Sequence, residues 1–239
     1  IPGYINFLIV EKNYIGKGVR TNLLESILFY FKKHKVEKIH ISHKSPIKLS
    51  WVIPNENAEH NKAPGVIVNS TSYRFFQEKG FAVLSYELSY FLDLNQFELN
   101  DQMENLKKTS REQGYEVVYF DKTKHSGQEE MFTRLKDESY REKFRKAQSR
   151  NEKIYVLVNG NDVCGITGHI YVEENGRGFF QGISVDPLHR GKKLGNLLFY
   201  SLCEELKNIG AKYMTLFVSE DNFAKNIYEK VGFNKVQRW

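Results

Sequence analysis

The sequence has few of the residues that build disulfide frameworks, cysteine metal sites or membrane spans. Its 239 residues include two cysteines, Cys164 and Cys203, with no CxxC pair and no zinc-finger spacing. We interpret both as reduced, buried cysteines. No apolar run approaches the 18 residues typical of a membrane-spanning helix, and the first residues show no basic region followed by an apolar core. These absences favour a cytoplasmic protein with no membrane partner.

Metal-binding histidine patterns are also missing. The seven histidines form no HExxH motif, and His40 and His43 are three positions apart on a predicted strand. Residues at that spacing point to opposite faces of a strand and cannot share one ion. We therefore expect no metal site.

The overall composition is that of a folded protein, and its charge balance suits an anionic ligand. Hydrophobic residues make up 41% of the chain and aromatic residues 14%, which is enough to build a sizeable core. The formal net charge is +6, from 35 Lys and Arg against 29 Asp and Glu. Because the basic residues are scattered and form no stripe, the charge favours a small anionic ligand over nucleic acid.

The most informative stretch is Phe179–Leu198. An apolar strand ends at Val185, Asp186-Pro187 stops it, and the basic glycine-containing loop Arg190–Gly195 leads into an amphipathic helix. The first amides of a helix have no internal partner and lie at the positive end of its dipole. The pattern therefore predicts a phosphate-binding loop.

A second apolar strand at 213–218 follows this helix, and a short helix closed by Gly232 comes next. The loop has no GxGxxG motif, and no Ser or Thr follows a GxxxxGK string. Both a dinucleotide-binding fold and a Walker loop therefore fit badly.

The order VDP, RGxxLG, helix, strand and NxxAxxxYxxxGF resembles the acetyl-CoA-binding half of the GNAT acetyltransferase superfamily. The resemblance is strong over residues 179–233 and weaker upstream. There the sequence predicts a strand at 115–120, helices at 128–135 and 138–148, and a hairpin at 153–172, after a linker-like segment at 107–114. The loop departs from the usual RGxGxG because Lys193 replaces the middle glycine. A positive φ at that lysine would cost about 1 kcal/mol.

The first part of the chain repeats the same series of elements, with a predicted strand at 5–10. Gly16 aligns with Gly191 and Gly80 with Gly232, at offsets of 175 and 152 positions, and the extra residues fall in a loop at 51–65. The first copy has Ile15, Arg20, Ser70 and Phe76 where the second has Arg190, Gly195, Asn222 and Tyr228. We interpret 1–106 as a degenerate partial repeat and 107–239 as the catalytic domain, and we expect both termini to be trimmed.

This layout resembles that of tandem GNAT proteins such as mycothiol synthase. The resemblance implies an α+β fold of two repeats, each a mixed, mostly antiparallel sheet flanked by helices. A parallel strand pair would splay apart at the acetyl-CoA site. It also implies direct acetyl transfer from acetyl-CoA to a primary amine of a small molecule or peptide in a ternary complex, without a metal.

The resemblance assigns acetyl-CoA binding to a set of residues in the second repeat. These are Ile183, Ser184, Val185, Arg190, Gly191, Lys192, Lys193, Leu194, Gly195, Asn196, Asn222 and Tyr228. The strand would bind the pantetheine arm, the loop the pyrophosphate, and Asn222 the pantetheine side. Tyr228 would be the general acid that protonates the departing thiolate.

Several questions stay open on the sequence alone. Candidates for the general base are His169, Glu173, Glu174, Glu220 and Asp221, or a water molecule. A non-catalytic CoA-binding or regulatory module with the same fold is an alternative function, and a nucleic-acid-associated protein is a weaker one. The acceptor and the oligomeric state do not follow from the sequence.

Overall fold

The computed structural model describes residues 2–239, which form two compact units. Unit 1 contains the chain up to Glu87 together with Gln237–Trp239, and unit 2 is Leu88–Val236. The predicted division after residue 106 lies further along the chain than this boundary. The assignment of a degenerate and a catalytic repeat stays a prediction.

Unit 1 is built around a short parallel strand pair and two helices. Its elements are β1 (Gly3–Tyr4), α1 (Val19–Lys33), β2 (Ile39–His40), β3 (Trp51–Val52), β4 (Glu59–His60) and α2 (Thr71–Glu78). Gly3 and Tyr4 pair with Ile39 and His40. The core between the helices and strands includes Leu24 and Phe76, which are both buried.

The predicted strand at 5–10 is wrong. The ladder from β1 ends with a bond from the Ile5 amide to the His40 carbonyl, and residues 6–10 are in no strand. Phe7 and Ile9 are 66% and 75% exposed. Because no neighbouring strand among residues 2–239 pairs with this apolar stretch, its β propensity has no ladder to join.

The long loop at 51–65 is not structureless. It contains the two-residue antiparallel pair β3 and β4, in which Trp51 faces His60. That this loop holds the extra residues of the first repeat stays a prediction.

Unit 2 has the remaining strands and five helices. The strands are β5 (Glu87–Asp93), β6 (Tyr115–Tyr119), β7 (Ile154–Asn159), β8 (Asp162–His169), β9 (Ser184–Val185), β10 (Tyr213–Ser219) and β11 (Asn234–Arg238). The helices are α3 (Asp101–Glu112), α4 (Gln128–Leu135), α5 (Glu138–Ser149), α6 (Leu194–Asn208) and α7 (Lys225–Val231). The two upstream helices and the hairpin that the sequence predicts are confirmed.

Residues 107–112 are helical and 113–114 form the turn that follows, so the interpretation of 107–114 as a linker is wrong. This helical part is the second half of α3. At the N-terminus of α3, the Asn100 side chain accepts a hydrogen bond of 3.0 Å from the Met103 amide. α3 is strongly polar, and Met103 and Ser110 are its buried residues. Because so few of its residues are apolar and buried, the sequence of α3 shows only a weak helical periodicity of hydrophobic residues.

The strands of unit 2 form two sheets, β6-β7-β8-β9 and β10-β5-β11. The first sheet is antiparallel throughout. The sheets meet where Arg177 bridges Tyr213 in parallel and the Gly178 amide donates to the Tyr213 carbonyl at 2.8 Å. Further along, β9 and β10 are not paired. The predicted mixed α+β fold with a splayed parallel strand pair is confirmed.

α6 is the central helix of the unit 2 core. Nine of its fifteen residues are buried, and Leu198, Phe199 and Cys203 have no exposed surface. Both cysteines are free and buried, as predicted. Burial raises the pKa of Cys164 to about 12 and that of Cys203 well above its ordinary value, which keeps both thiols protonated.

Candidate functional site

The candidate site of unit 2 begins where β9 and β10 separate. Gly165 and Ile166 of β8 pair with Val185 and Ser184 on one edge of β9. On its other edge β9 has no strand partner within residues 2–239, so backbone groups there remain available to a ligand. This part of the predicted site therefore offers the edge of a strand, which can bind an extended molecule by main-chain hydrogen bonds.

The basic loop follows β9 and contains a run of amide groups without hydrogen-bond partners. The amides of residues 191–195 make no hydrogen bond to other groups within residues 2–239. Gly191 has φ of 84°, and Lys193, which precedes α6, has φ of 58°. No side chain in the described part of the chain caps the helix. Successive free amides with left-handed residues between them, at a helix N-terminus, form an anion-binding site.

Basic side chains surround this loop, and neutral partners hold two of them. The Nε atom of Arg190 donates to the Val185 carbonyl at 3.1 Å. The Nζ atom of Lys192 donates to the Tyr115 hydroxyl at 2.8 Å, and that hydroxyl lies 2.9 Å from Nδ1 of His189. No carboxylate of residues 2–239 pairs with either cation, so the loop keeps its positive charge for an anion.

A buried ion pair fixes the turn between β9 and the loop. Asp186 has no exposed surface, and the guanidinium of Arg134 on α4 donates to both of its carboxylate oxygens. The Leu188 amide also donates to it at 3.0 Å. Burial alone would raise the pKa of Asp186, but these hydrogen bonds lower it below its ordinary value. The carboxylate is therefore charged at neutral pH and anchors the loop to α4.

The short helix α7 packs beside the start of α6. A methyl group added at Gly195 would lie 3.5 Å from Cδ1 of Ile227, in ordinary contact, so the two helices approach closely there. Asn222 forms the turn before α7, where its side-chain oxygen accepts from the Ala224 amide at 2.9 Å. This packing brings the loop and α7 together.

Tyr228 on α7 lies in an aromatic cluster. Its ring centroid is 4.9 Å from that of Phe199 and 6.2 Å from that of Phe180, and the residue is 6% exposed. Its hydroxyl makes no hydrogen bond within residues 2–239. Burial raises the pKa of Tyr228 to about 12. The phenol is therefore protonated at neutral pH and has a proton to donate.

The candidate general bases differ in their side-chain contacts. Glu173 makes a bidentate ion pair with Arg177, which is 2% exposed, at 2.7 and 2.8 Å. His169 stacks on Tyr171 at 4.7 Å, and burial lowers its pKa. Glu173 thus has a structural partner, and none of the candidates is singled out as a base by its contacts.

Three supporting residues were missed by the sequence reasoning. Arg134 anchors Asp186, Tyr115 contacts the loop lysine, and Tyr140 donates from its hydroxyl to the Gly182 carbonyl at 2.9 Å. They lie on α4, β6 and α5, remote in sequence from the loop they support. The one indication in the sequence is Asp186, a carboxylate at the end of an apolar strand. A carboxylate buried at such a position requires a cationic partner.

Phe223 was also missed. It is 86% exposed and follows Asn222 directly, at the start of the α7 segment. A large exposed aromatic ring beside a candidate ligand site is an informative exception to the burial of such residues.

Within residues 2–239, no group of three His, Cys, Asp or Glu side chains lies close enough to hold a metal ion. No helix of the described chain has the length and apolarity needed to cross a membrane.

Comparison with known proteins supports this description of the fold. Residues 120–233 match the model of the acetyltransferase (GNAT) family. The ribosomal protein bS18 alanine N-acetyltransferase of Haemophilus influenzae is 41% identical over 54 residues, which are 23% of this chain and 37% of that protein.

Two solved structures align with nearly the whole chain. One contains a GCN5-related glucosamine N-acetyltransferase region in a fungal multi-domain β-N-acetylglucosaminidase, with 16% identity and a TM-score of 0.64 over 100% of this chain and 29% of that one. The other is a tandem GNAT protein from the clavulanic acid biosynthesis pathway, with 16% identity and a TM-score of 0.57 over 99% of this chain and 72% of that one. At these identities the structures show the fold alone. The chain spans about a third of the length of the bacterial relative and of the fungal protein.

Proposed function

We propose that unit 2, in which residues 120–233 match the acetyltransferase (GNAT) family, transfers an acetyl group from acetyl-CoA to a primary amine. The observation that carries this proposal is the row of free amides at 191–195, flanked by Arg190 and Lys192. Such a site fits a pyrophosphate, which has several oxygens to satisfy and two or more negative charges.

The other parts of the site fit the rest of acetyl-CoA. The free edge of Ile183–Val185 would bind the pantetheine arm by main-chain hydrogen bonds. Asn222 is exposed at the end of β10 and would contact the arm from the opposite side. The arm would then lead from the loop toward the aromatic cluster around Tyr228.

In the proposed reaction the neutral amine attacks the thioester carbonyl directly. The C–N bond forms, the C–S bond breaks, and the sulfur leaves with the bonding electron pair as a thiolate. The nitrogen, which the attack leaves positively charged, loses a proton to solvent and becomes the amide nitrogen. Tyr228 donates its hydroxyl proton to the thiolate and regains a proton from solvent. A base, or a water molecule acting as one, must remove a proton from the acceptor ammonium before attack.

The acceptor is proposed only as a class, a primary amine of a small molecule or peptide. The names of the relatives suggest two representatives, an amino sugar and a peptide with an N-terminal alanine. We also propose a cytoplasmic location, where acetyl-CoA is available.

Calorimetric titration with acetyl-CoA tests the proposal, using the wild-type chain and Arg190→Ala. We expect saturable binding that weakens in the variant and becomes less sensitive to salt, because one phosphate contact is lost. Lys33→Ala, which removes an exposed charge from α1, is the matched control. Equal affinity in all three proteins would place the phosphate site elsewhere.

A release assay for the free CoA thiol, with glucosamine, polyamines and an alanine peptide as acceptors, tests the chemistry. Turnover with any of these amines supports the transferase. Binding without turnover across a broad amine set would favour the non-catalytic CoA-binding module, and absence of binding would contradict both.

A further inference from the structure

The basic loop of unit 2 is not held by its own backbone. The amides of residues 191–195 make no hydrogen bond to groups within residues 2–239. Lys192 lies between Gly191 and Lys193, which have φ values of 84° and 58°. A segment without backbone hydrogen bonds keeps one conformation only if side chains or a ligand fix it, because its conformational entropy favours many others. The contacts of the loop side chains therefore decide whether the amides are ordered before a ligand binds.

The middle of the loop is held by Tyr115, and its ends are held by other groups. At the start of the loop, Nε of Arg190 donates to the Val185 carbonyl at 3.1 Å. At its end the chain enters α6, whose first residue, Leu194, is buried. Between these points, Nζ of Lys192 donates to the Tyr115 hydroxyl at 2.8 Å and lies 5.0 Å from the centroid of that ring. The position of Lys192 thus depends on Tyr115.

Tyr115 is itself rigidly placed. It is the first residue of β6, it pairs with Asn159 of β7, and it is 3% exposed. Directly before it, the Gly114 carbonyl accepts from the Gly160 amide at 3.0 Å. Its ring belongs to a buried cluster with residues of the sheet and of α6, namely Leu157, Cys164, Leu194, Leu197 and Leu198. Because the sheet and the helix both fix the ring, its hydroxyl is a fixed point to which the loop can be attached.

The hydrogen-bond roles at the Tyr115 hydroxyl follow from the chemistry of its two partners. A lysine ammonium has donors and no acceptor, so the Tyr115 oxygen accepts from Lys192. The single phenolic hydrogen is then available to Nδ1 of His189, which lies 2.9 Å away. Nδ1 must accept this hydrogen, so His189 is the neutral tautomer that carries its own hydrogen on Nε2. One hydroxyl therefore joins two positions of the loop segment, 189 and 192, in a single chain of hydrogen bonds.

The Lys192 side chain is directed away from the free edge of β9. β6 and β9 are the outer strands of the sheet order β6-β7-β8-β9. Given the spacing of neighbouring strands, about 14 Å separate β6 from β9. An ammonium bound to the hydroxyl of a β6 residue is turned toward β6, whereas the arm of the ligand would lie along the free edge of β9. Lys192 therefore fits a role in holding the loop better than direct contact with the pyrophosphate.

We propose that Tyr115 is a positioning residue for acetyl-CoA binding. Through Lys192 and His189 it holds the loop so that the amides of residues 191–195 are ordered before the pyrophosphate binds. This inference rests on the proposed function, because it takes acetyl-CoA as the ligand of the loop. Preorganisation strengthens binding by reducing the entropy that is lost when the complex forms. Removal of the Tyr115 hydroxyl therefore weakens acetyl-CoA binding although the residue does not touch the ligand.

Calorimetric titration with acetyl-CoA of wild type, Tyr115→Phe, Lys192→Met and the double variant tests the coupling. Tyr115→Phe keeps the buried ring and removes only the hydroxyl. We expect each single substitution to weaken binding by about tenfold, and the double variant to bind no more weakly than Lys192→Met, because both substitutions break the same contact.

The matched controls for this titration remove a buried hydroxyl and an exposed charge elsewhere in unit 2. They are Tyr155→Phe on the neighbouring strand β7 and Lys235→Met on β11, and both should bind acetyl-CoA like wild type. Equal affinity in wild type and Tyr115→Phe would overturn the proposal. So would a double variant whose loss of affinity is the product of the two single losses, because Lys192 would then act independently of Tyr115.

NMR of the protein without acetyl-CoA supplies a second measurement. The imidazole nitrogen shifts of neutral His189 should show hydrogen on Nε2 and none on Nδ1 in wild type, and a mixture of both tautomers in Tyr115→Phe. The order parameters of amides 191–195 should fall in that variant, while those of α5 stay the same. Unchanged order parameters at 191–195 would overturn the proposal.

The two measurements separate failure of this proposal from failure of the proposed function. A wild-type chain that does not bind acetyl-CoA would contradict the proposed function, and the NMR comparison would still decide whether Tyr115 holds the loop. Binding that is unaffected by Tyr115→Phe would contradict the positioning role alone.

Discussion

The guanidinium of Arg20 lies over the ring of Phe75, with its Cζ atom 4.3 Å from the ring centroid. These residues are the repeat counterparts of Gly195 and Ile227, which meet at the start of α6 in unit 2. Arg20 also donates to the Ser72 hydroxyl at 2.6 Å, so its side chain is held along α2. In unit 1 an arginine side chain thus occupies the place where unit 2 leaves room with a glycine.

We predict one acetyl-CoA site per chain, and we expect Arg20→Gly to leave that number unchanged. Unit 1 also has Ile15 in place of a loop arginine and Phe76 in place of Tyr228. The variant should lose about 1 kcal/mol of unfolding free energy as the cation–π contact disappears. Calorimetric stoichiometry and urea unfolding measure the two effects. Two sites in either protein would show that unit 1 retains a binding function.

Tyr228→Phe should lower kcat by about 100-fold while leaving acetyl-CoA affinity nearly unchanged. The substitution removes the proton donor and keeps the ring among Phe199 and Phe180. Steady-state kinetics and calorimetry on the same preparation measure both quantities. Tyr30→Phe, at an exposed site on α1, is the control. An unchanged kcat would remove Tyr228 as the acid.

The dependence of kcat/KM on pH is a second test of Tyr228 as the general acid. Because burial raises the pKa of Tyr228 to about 12, its ionisation should cause no loss of kcat/KM between pH 7 and pH 10. A decline in that interval that is present in wild type and absent from Tyr228→Phe would contradict the raised pKa.

Lys193 stores backbone strain that a glycine would release. Its φ of 58° is in the left-handed region, which costs an ordinary residue about 1 kcal/mol. Lys193→Gly and Lys193→Ala both remove the charge, but only the glycine variant accepts this backbone freely. We expect Lys193→Gly to have a free energy of unfolding in urea about 1 kcal/mol higher than Lys193→Ala. The greater conformational entropy of glycine in the unfolded chain reduces this difference. Equal stability would show that the strain is absent.

Asp186→Asn should destabilise unit 2 by on the order of 2 kcal/mol at neutral pH, because the charged hydrogen bonds to Arg134 are lost. The folded-state pKa of Asp186 is lowered, so its contribution is present above the ordinary carboxyl pKa, about 4, and is lost as the pH falls through the lowered value. The wild-type advantage in urea unfolding should therefore be full at pH 7 and shrink below about pH 4. Glu174→Gln, at an exposed carboxylate, is the control. A pH-independent difference would contradict the ionic role.

Prediction from sequence succeeded where the signal is local. The basic loop, the amphipathic pattern of α6 and the glycine that closes α7 are each set by neighbouring residues. It failed at 5–10, where an apolar stretch has no strand to pair with, and at 107–114, where a helix has only a narrow buried face. Pairing and burial depend on distant parts of the chain, so composition alone could not reveal them.

In the candidate site too, some features follow from local sequence and others from tertiary packing. Glycines, basic residues and a helix start adjacent in the sequence determine by themselves that a basic loop with unbonded amides forms, because amide geometry and charge are local properties. Only the tertiary structure decided that Arg134 neutralises Asp186, that Tyr115 contacts Lys192 and that Tyr228 is buried among aromatic rings. Those relations join residues from about 30 to 80 positions apart, and they exist only because the packed helices and sheets bring the side chains into contact.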